Sequence, residues 1–438
     1  MHARATWLHQ LRKHYLSRIE QIRVPCLVQT HANYFWHQQC LYMDSHFLRT
    51  CINHMIRSTS MSSQVVATDE MTPTHEQPSN GDYKKGIKYL TDMMPNMPKL
   101  PSEYVLPLPA SPLSVSHASI PVMDLSGLSG STECRMLTIQ AIASACTEWG
   151  FFRIVNHGIK ISLMEEMLEA IEGFFNLSWE EKMKYASDDV MDPVRYGTSL
   201  NTSIKHALHW RDYFRHFGHP FHSSFHLWPN NPSNYRYVAK EYLEEVWKLQ
   251  LKIASAISEG LGLDSDYIEK SLGEGFQILA SNYYPPCPEP HRTLGLAAHS
   301  DHGGLTILMQ NDVDGLQVKH EEEWVAVEYV PGTFVVNIGD YLEILSNGRY
   351  KSVVHRAVTN AQRARISVAV GHGPEQTATV APASLLVDVK DDIKYRPVTY
   401  KDYIKLQQSS AIRGKSPLQT IMTHNSTNEA SSAPLPRV

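Results

Sequence analysis

The residues in this chain most suggestive of chemistry are His299-Ser300-Asp301. In an extended segment, residues two apart share a face, so an imidazole and a carboxylate can converge there on one ion. With 23 histidines among 438 residues, about one such pair arises by chance. Context strengthens it. A second histidine, His355, sits in another strand-like run, 351–358, and a facing strand would bring it beside the first pair. A lone histidine there would otherwise be an ordinary hydrogen-bonded barrel residue. Two imidazoles and one carboxylate hold a divalent metal by one side and leave its other positions open.

Ten residues after His355 comes Arg365-Ile366-Ser367. Strand alternation turns Arg365 and Ser367 to one face and Ile366 to the other. A buried guanidinium needs an anion. No carboxylate stands near it in sequence, so a ligand carboxylate, with the Ser367 hydroxyl assisting, is the natural partner. Alternatively, Arg365 is a surface residue on an edge strand. Asn282 and Tyr284 share a face of the run that starts at Gln277, and Pro285-Pro286 ends that strand. The His/Asp/His donor set is the one used by non-haem Fe(II) oxygenases.

Composition narrows the alternatives. Forty basic and forty-five acidic side chains give a formal charge of −5, which offers no footprint for nucleic acid or an anionic membrane. No stretch of about eighteen uncharged apolar residues is present, so no transmembrane helix is expected. The six cysteines (Cys26, Cys40, Cys51, Cys134, Cys146 and Cys287) are scattered, as in a chain from a reducing compartment.

The elements that must position these residues follow from periodicity. Apolar spacing predicts helices over 133–149, 162–175 and 233–262, the last with a stripe of Val238, Tyr242, Leu243, Val246, Leu249, Ile253 and Ile257. Phe151 to Val155 reads as a strand. After Gly275, strand-like runs succeed one another at 277–284, 305–310, 315–319, 324–327, 334–338, 352–358 and 365–370. That rhythm argues for an antiparallel sandwich or barrel, of which the jelly roll is one form.

The expected fold class is therefore α+β. A leader is expected over 1–82, disordered or targeting, because up to Thr68 basic residues such as Arg4, Arg12 and Lys13 outnumber the acids Glu20 and Asp44. A proline-bearing linker follows over 83–118, an N-terminal helical region over 119–230, and a long helix with its connector over 231–274. The β-rich part spans 275–375, a C-terminal cover 376–415, and a disordered Ser/Thr/Asn/Pro-rich tail 416–438. A cytoplasmic monomer is expected, or a plastid location if residues 1–70 are a transit peptide.

With these residues assembled, the chain resembles the plant 2-oxoglutarate- and Fe(II)-dependent dioxygenases, the group of flavanone 3-hydroxylases, flavonol synthases and anthocyanidin synthases. The resemblance runs through Ile120-Pro121-Val122, Trp149-Gly150-Phe151-Phe152, Asn156-His157-Gly158, Trp210-Arg211-Asp212-Tyr213, His299 to Gly304, Asn337-Ile338-Gly339-Asp340 and His355 to Ser367. It implies a distorted double-stranded β-helix (jelly roll) core with a helical N-terminal region packed on it. It further implies Fe(II) on His299, Asp301 and His355, 2-oxoglutarate on Arg365 and Ser367 with support from Asn282 and Tyr284, O2 as cosubstrate, and ascorbate as reductant. The implied reaction hydroxylates or desaturates a small specialised metabolite, with a flavonoid or other phenolic as the expected class, releasing succinate and CO2. Tyr196, Ala280 and Gly371 are the substrate candidates. Gly371 stands where flavonoid enzymes often carry an aromatic, and Ala280 where anthocyanidin synthase has a polar residue, so that enzyme's specificity is not carried over. Two alternatives stay open: a relative acting without 2-oxoglutarate, like aminocyclopropane-carboxylate oxidase, and a non-catalytic small-molecule binder. His157 is read as structural.

Overall fold

Short runs of β-branched and aromatic residues, broken by glycine, proline and asparagine, form the strands. The structure is a computed structural model that describes residues 85–107, 115–116, 118–189, 191–199, 208–387, 393–409 and 416–423. The leader over 1–82 and the tail beyond 423 lie outside the described residues. In chain order the first strands are β1 (Val115–Ser116), β2 (Val122–Asp124), β3 (Phe151–Val155), β4 (Val194–Thr198), β5 (Asp212–Phe217), β6 (Phe276–Tyr284) and β7 (Leu296–His299). Then come β8 (Leu305–Gln310), β9 (Leu316–His320), β10 (Glu323–Ala326), β11 (Phe334–Ile338), β12 (His355–Ala357) and β13 (Arg365–Gly373).

Among the described residues, one sheet has the order β2-β3-β11-β8-β13-β6-β5-β4 and a second β1-β10-β9-β12-β7. Together they make a jelly roll, and a cavity of about 1510 Å³ is lined by residues from both. Helices cover the outer face of the larger sheet. The long helix Tyr235–Gly260 buries every residue of its expected stripe, from Val238 to Ile257. Each such side chain contributes ~1.5–3 kcal/mol relative to exposure. The helix Thr132–Glu148 starts where Ser131 Oγ accepts from Cys134 N–H at 3.3 Å. It stops at Gly150, whose φ of +60° suits glycine and where a Cβ would lie 2.2 Å from the Lys351 carbonyl oxygen.

Two expectations need correction. Residues 83–118 are not simply a linker. They contain a helix, Ile87–Met93, and Ile87, Leu90 and Tyr104 are buried with Trp210 and Cys287. The helix is pinned by Asp212, whose carboxylate accepts from Ile87 N–H at 2.7 Å and Lys88 N–H at 3.1 Å. Nearby prolines mask this short amphipathic turn in the sequence, and its apolar side acquires meaning only on docking. The tail likewise begins ordered. Ser416–Thr420 is helical and Leu418 and Ile421 are buried, because the polar composition that suggested disorder belongs mostly to residues beyond 423.

His216 shows what the core imposes on a titratable group. It is fully buried in β5, with Nε2 2.8 Å from the Tyr235 hydroxyl and Nδ1 3.0 Å from the Phe217 carbonyl oxygen. Burial pulls its pKa down to about 4. The folded protein therefore keeps His216 neutral, while the unfolded chain takes up a proton below about pH 6.5. Its contribution is intact above pH 6.5 and is lost as pH falls toward 4. The stability gap between wild type and His216→Gln should accordingly narrow between pH 6.5 and 4, by up to ~1.4 kcal/mol per pH unit. Urea unfolding across that range measures it, and a gap independent of pH contradicts this description of the core.

Candidate active site

Strand register places the two histidines. β12 lies between β7 and β9, with His355 directly opposite His299, and the imidazole centroids are 4.3 Å apart. Asp301, two residues beyond the end of β7, puts Oδ1 3.6 Å from Nε2 of each histidine. The three donor atoms lie within 4.8 Å of one another, close enough to hold one metal ion.

The surroundings fix which atoms face that point. His299 Nδ1 contacts the Ala297 carbonyl oxygen at 2.8 Å and His355 Nδ1 that of Val353 at 3.1 Å. Each ring therefore donates from Nδ1 and presents Nε2 as the free lone pair. Asp301 Oδ2 accepts from Thr306 Oγ1 at 2.6 Å and Asn337 Nδ2 at 2.9 Å, which turns Oδ1 toward the imidazoles. Burial alone would push Asp301 up. His355, His299, Thr306 and Asn337 outweigh it and hold the carboxyl below the usual range. His299 is drawn down to about 4 by burial and by His355. At neutral pH the site offers a carboxylate and a neutral imidazole, the protonation states a metal requires. Ser300 turns away and donates to Asp340 Oδ2 at 3.3 Å.

A second set lies on the inner face of the large sheet. β13 pairs with β6 so that Arg365 opposes Tyr284 and Ser367 opposes Asn282. The Arg365 guanidinium lies over the Tyr284 ring at 5.2 Å and donates from Nη2 to Gln310 Oε1 at 2.7 Å. Its Nε is buried with no protein partner. Burial lowers its pKa, so the charge is held against a desolvation cost. A bidentate ligand carboxylate would fill that vacancy in its hydrogen bonding. The set fits 2-oxoglutarate, just as the nitrogen and oxygen donors above fit Fe(II).

Asn282 is held on both sides. Its Oδ1 accepts from Arg211 Nη1 at 2.5 Å and its Nδ2 donates to Ser367 Oγ at 3.4 Å. Ala280 and Gly371 line the cavity, and a Cβ on Gly371 would meet nothing within 4 Å. Tyr196 borders the cavity, but its hydroxyl donates to Asp212 Oδ2 at 3.2 Å. That group is therefore committed to the scaffold rather than offered to a substrate. His157 is likewise scaffold, with Nε2 donating to the Gly332 carbonyl oxygen at 3.1 Å and Nδ1 accepting from Ile159 N–H at 3.2 Å.

Four residues that matter here were given no site role from sequence, although Phe151, Arg211 and Asn337 stand in the resemblance motifs: Thr306 and Asn337 on Asp301, Arg211 on Asn282, and Phe151, edge-on to His355 at 5.3 Å. A signal existed for two. Thr306 and Asn337 are polar residues in otherwise apolar strands, and register makes them cross-strand partners.

Residues 275–374 match the 2OG-Fe(II) oxygenase superfamily and residues 120–233 the family described as non-haem dioxygenase in morphine synthesis N-terminal. The Arabidopsis thaliana protein DOWNY MILDEW RESISTANCE 6 is 44% identical over 314 residues, covering 70% of this chain and 90% of that protein. Flavanone 3-dioxygenase 2 of Oryza sativa subsp. japonica is 43% identical over 310 residues, covering 70% and 89%. The crystal structure of JOX2 in complex with 2OG, Fe and JA superposes with a TM-score of 0.70 at 35% identity, covering 77% of this chain and 97% of that one. The chain belongs to the 2OG-Fe(II) oxygenase superfamily. Within it, the chain is a plant-type 2-oxoglutarate-dependent dioxygenase. Among the described residues no helix is long and apolar enough to cross a membrane.

Removing a group that orients a metal-facing carboxylate typically weakens metal affinity about 10–100-fold. Anaerobic Fe(II) titration of Asn337→Ala should show a loss of that size, and wild-type affinity would contradict the orienting role of Asn337.

Proposed function

We propose that this dioxygenase hydroxylates or desaturates a small specialised metabolite, a flavonoid or other phenolic, with release of succinate and CO2. His299, Asp301 and His355 hold Fe(II). Arg365 and Ser367 hold the distal carboxylate of 2-oxoglutarate, Asn282 and Tyr284 support it, and ascorbate keeps the metal reduced. With its cosubstrates, the iron centre supplies the oxidising equivalent that attacks an unactivated C–H bond.

One observation carries the reading. An ionised Asp301 between two outward-facing Nε2 atoms shares a cavity with a buried Arg365 whose Nε lacks a partner. The protein's own contribution is positioning. The Nδ1 contacts to backbone carbonyls lock the ring orientations, Thr306 and Asn337 lock the carboxylate, and Arg365 fixes one end of the cosubstrate. Phe151, Ile278, Leu308 and Val335 line the same cavity and exclude water from an apolar substrate. Similarity to a rice flavanone 3-dioxygenase supports the phenolic class, and a volume of about 1510 Å³ leaves room for a ring system beside the cosubstrate.

The test is a metabolite screen with Fe(II), ascorbate and 2-oxoglutarate, read as succinate release matched to a gain of one oxygen or loss of two hydrogens. Turnover should require 2-oxoglutarate and vanish in Asp301→Ala. Turnover without 2-oxoglutarate, or in Asp301→Ala, overturns the reading. Arg365→Met should raise the KM for 2-oxoglutarate at least about tenfold, the size of one hydrogen bond to a charged group.

A further inference from the structure

The inner face of the large sheet is laid out in rows. One cross-strand row reads Arg195, Arg215, Ala280, Ala369, Leu308 and Val335, from β4 through β5, β6, β13 and β8 to β11. All six border the cavity. The row is cationic at one end, has only methyl side chains in the middle, and is apolar at the other end.

Two arginines directly opposite each other on neighbouring strands repel. Arg195 is indeed among the causes that draw Arg215 down to about 10, after burial and against attraction from Tyr213, Asp192 and Asp189. Arg195 Nε donates to the Ser187 carbonyl oxygen at 3.0 Å, its guanidinium lies over the Tyr213 ring at 5.9 Å, and that of Arg215 lies over Phe217 at 5.8 Å. Arg215 and the metal-binding trio line the same cavity. Arg215 is not part of the 2-oxoglutarate anchor. Arg215 pairs with Ala280, four residues along β6 from the Tyr284 that faces Arg365, which is ~13 Å at about 3.3 Å per residue.

We propose that Arg195 and Arg215 form a carboxylate-binding subsite for the molecule that is oxidised. This rests on the proposed function and sharpens it: the substrate is an acid with a flat apolar body. The carboxylate sits on the two guanidiniums, and the body lies over Ala280 and Ala369 toward Leu308 and Val335. Gly371, one strand step away from Ala369 on the same face, keeps the space above that floor open.

The experiment is calorimetry on the full chain loaded with Mn(II) and 2-oxoglutarate. The probes are 4-hydroxycinnamate, its methyl ester, the non-phenolic acid 3-cyclohexylpropionate, and the neutral flavanone naringenin. An acid should bind at least about tenfold more tightly than the ester, the size of a charge-assisted hydrogen bond. Arg195→Gln and Arg215→Gln should each weaken acid binding by a similar factor. Arg215→Lys should retain part of it, and affinity for 2-oxoglutarate should change less than about twofold. Equal affinity for acid and ester, binding of neither acid, or acid binding unaffected by both substitutions overturns the subsite. If naringenin alone binds, the subsite falls while the phenolic reading stands. If 3-cyclohexylpropionate alone binds, the subsite stands and the phenolic reading falls.

Discussion

The structure turns on one carboxylate in the cavity wall. Asp301 is half-buried and lines the cavity with both oxygens engaged: Oδ2 takes hydrogen bonds from Thr306 and Asn337, and Oδ1 faces His299 and His355. Desolvation disfavours the ionised form of such a group unless it is compensated. The compensation draws on both sheets, because the two histidines stand on the small sheet and Thr306 and Asn337 on the large one. The backbone reinforces this, since Asp340 N–H donates to the Asp301 carbonyl oxygen at 2.7 Å. Asp340 in turn accepts from the Ser300, Ser352 and Tyr403 hydroxyls. The metal-facing loop is thus tied to the C-terminal helix 400–409 as well as to both sheets.

The large sheet converts that constraint into a layout for ligands. Its strands run antiparallel with unbroken register from β11 to β4, so each residue step along a strand changes the chemistry of an entire row. Arg365 with Tyr284 and Ser367 with Asn282 form the polar end. The arginine and alanine row follows, and then the row of Ile278, Gly371, Thr306 and Asn337 that supports the carboxylate. Helices on the outer face hold this sheet rigid, which matters because misplacing a reacting atom by about 1 Å can cost two orders of magnitude in rate.

Much of this was legible in the sequence. His299, Asp301, His355, Arg365 and Ser367 stood out because their types and strand parity point to one chemistry, and the long helix was marked by an unbroken apolar stripe. What sequence hid was long-range. β5 reads as a polar, charged segment, Asp-Tyr-Phe-Arg-His-Phe, and becomes a buried strand only because Asp212 caps a helix more than a hundred residues earlier and His216 meets Tyr235. Arg211 gains a role only once Asn282 lies across from its neighbour Tyr213. The opposition of Arg195 and Arg215 depends on pairing two strands that periodicity did not reveal. Local pattern exposes what a strand presents, whereas tertiary register decides what it meets.

The central claim is that one cavity holds the metal and two separate anion anchors. A crystal structure of the chain grown anaerobically with Fe(II) and 2-oxoglutarate tests it most directly. Iron should sit on Asp301 Oδ1 and both Nε2 atoms, with the distal carboxylate of 2-oxoglutarate on Arg365 and Ser367 and the Arg195–Arg215 pair free of it. Iron bound elsewhere, or a 2-oxoglutarate carboxylate on Arg195 and Arg215, would contradict the account.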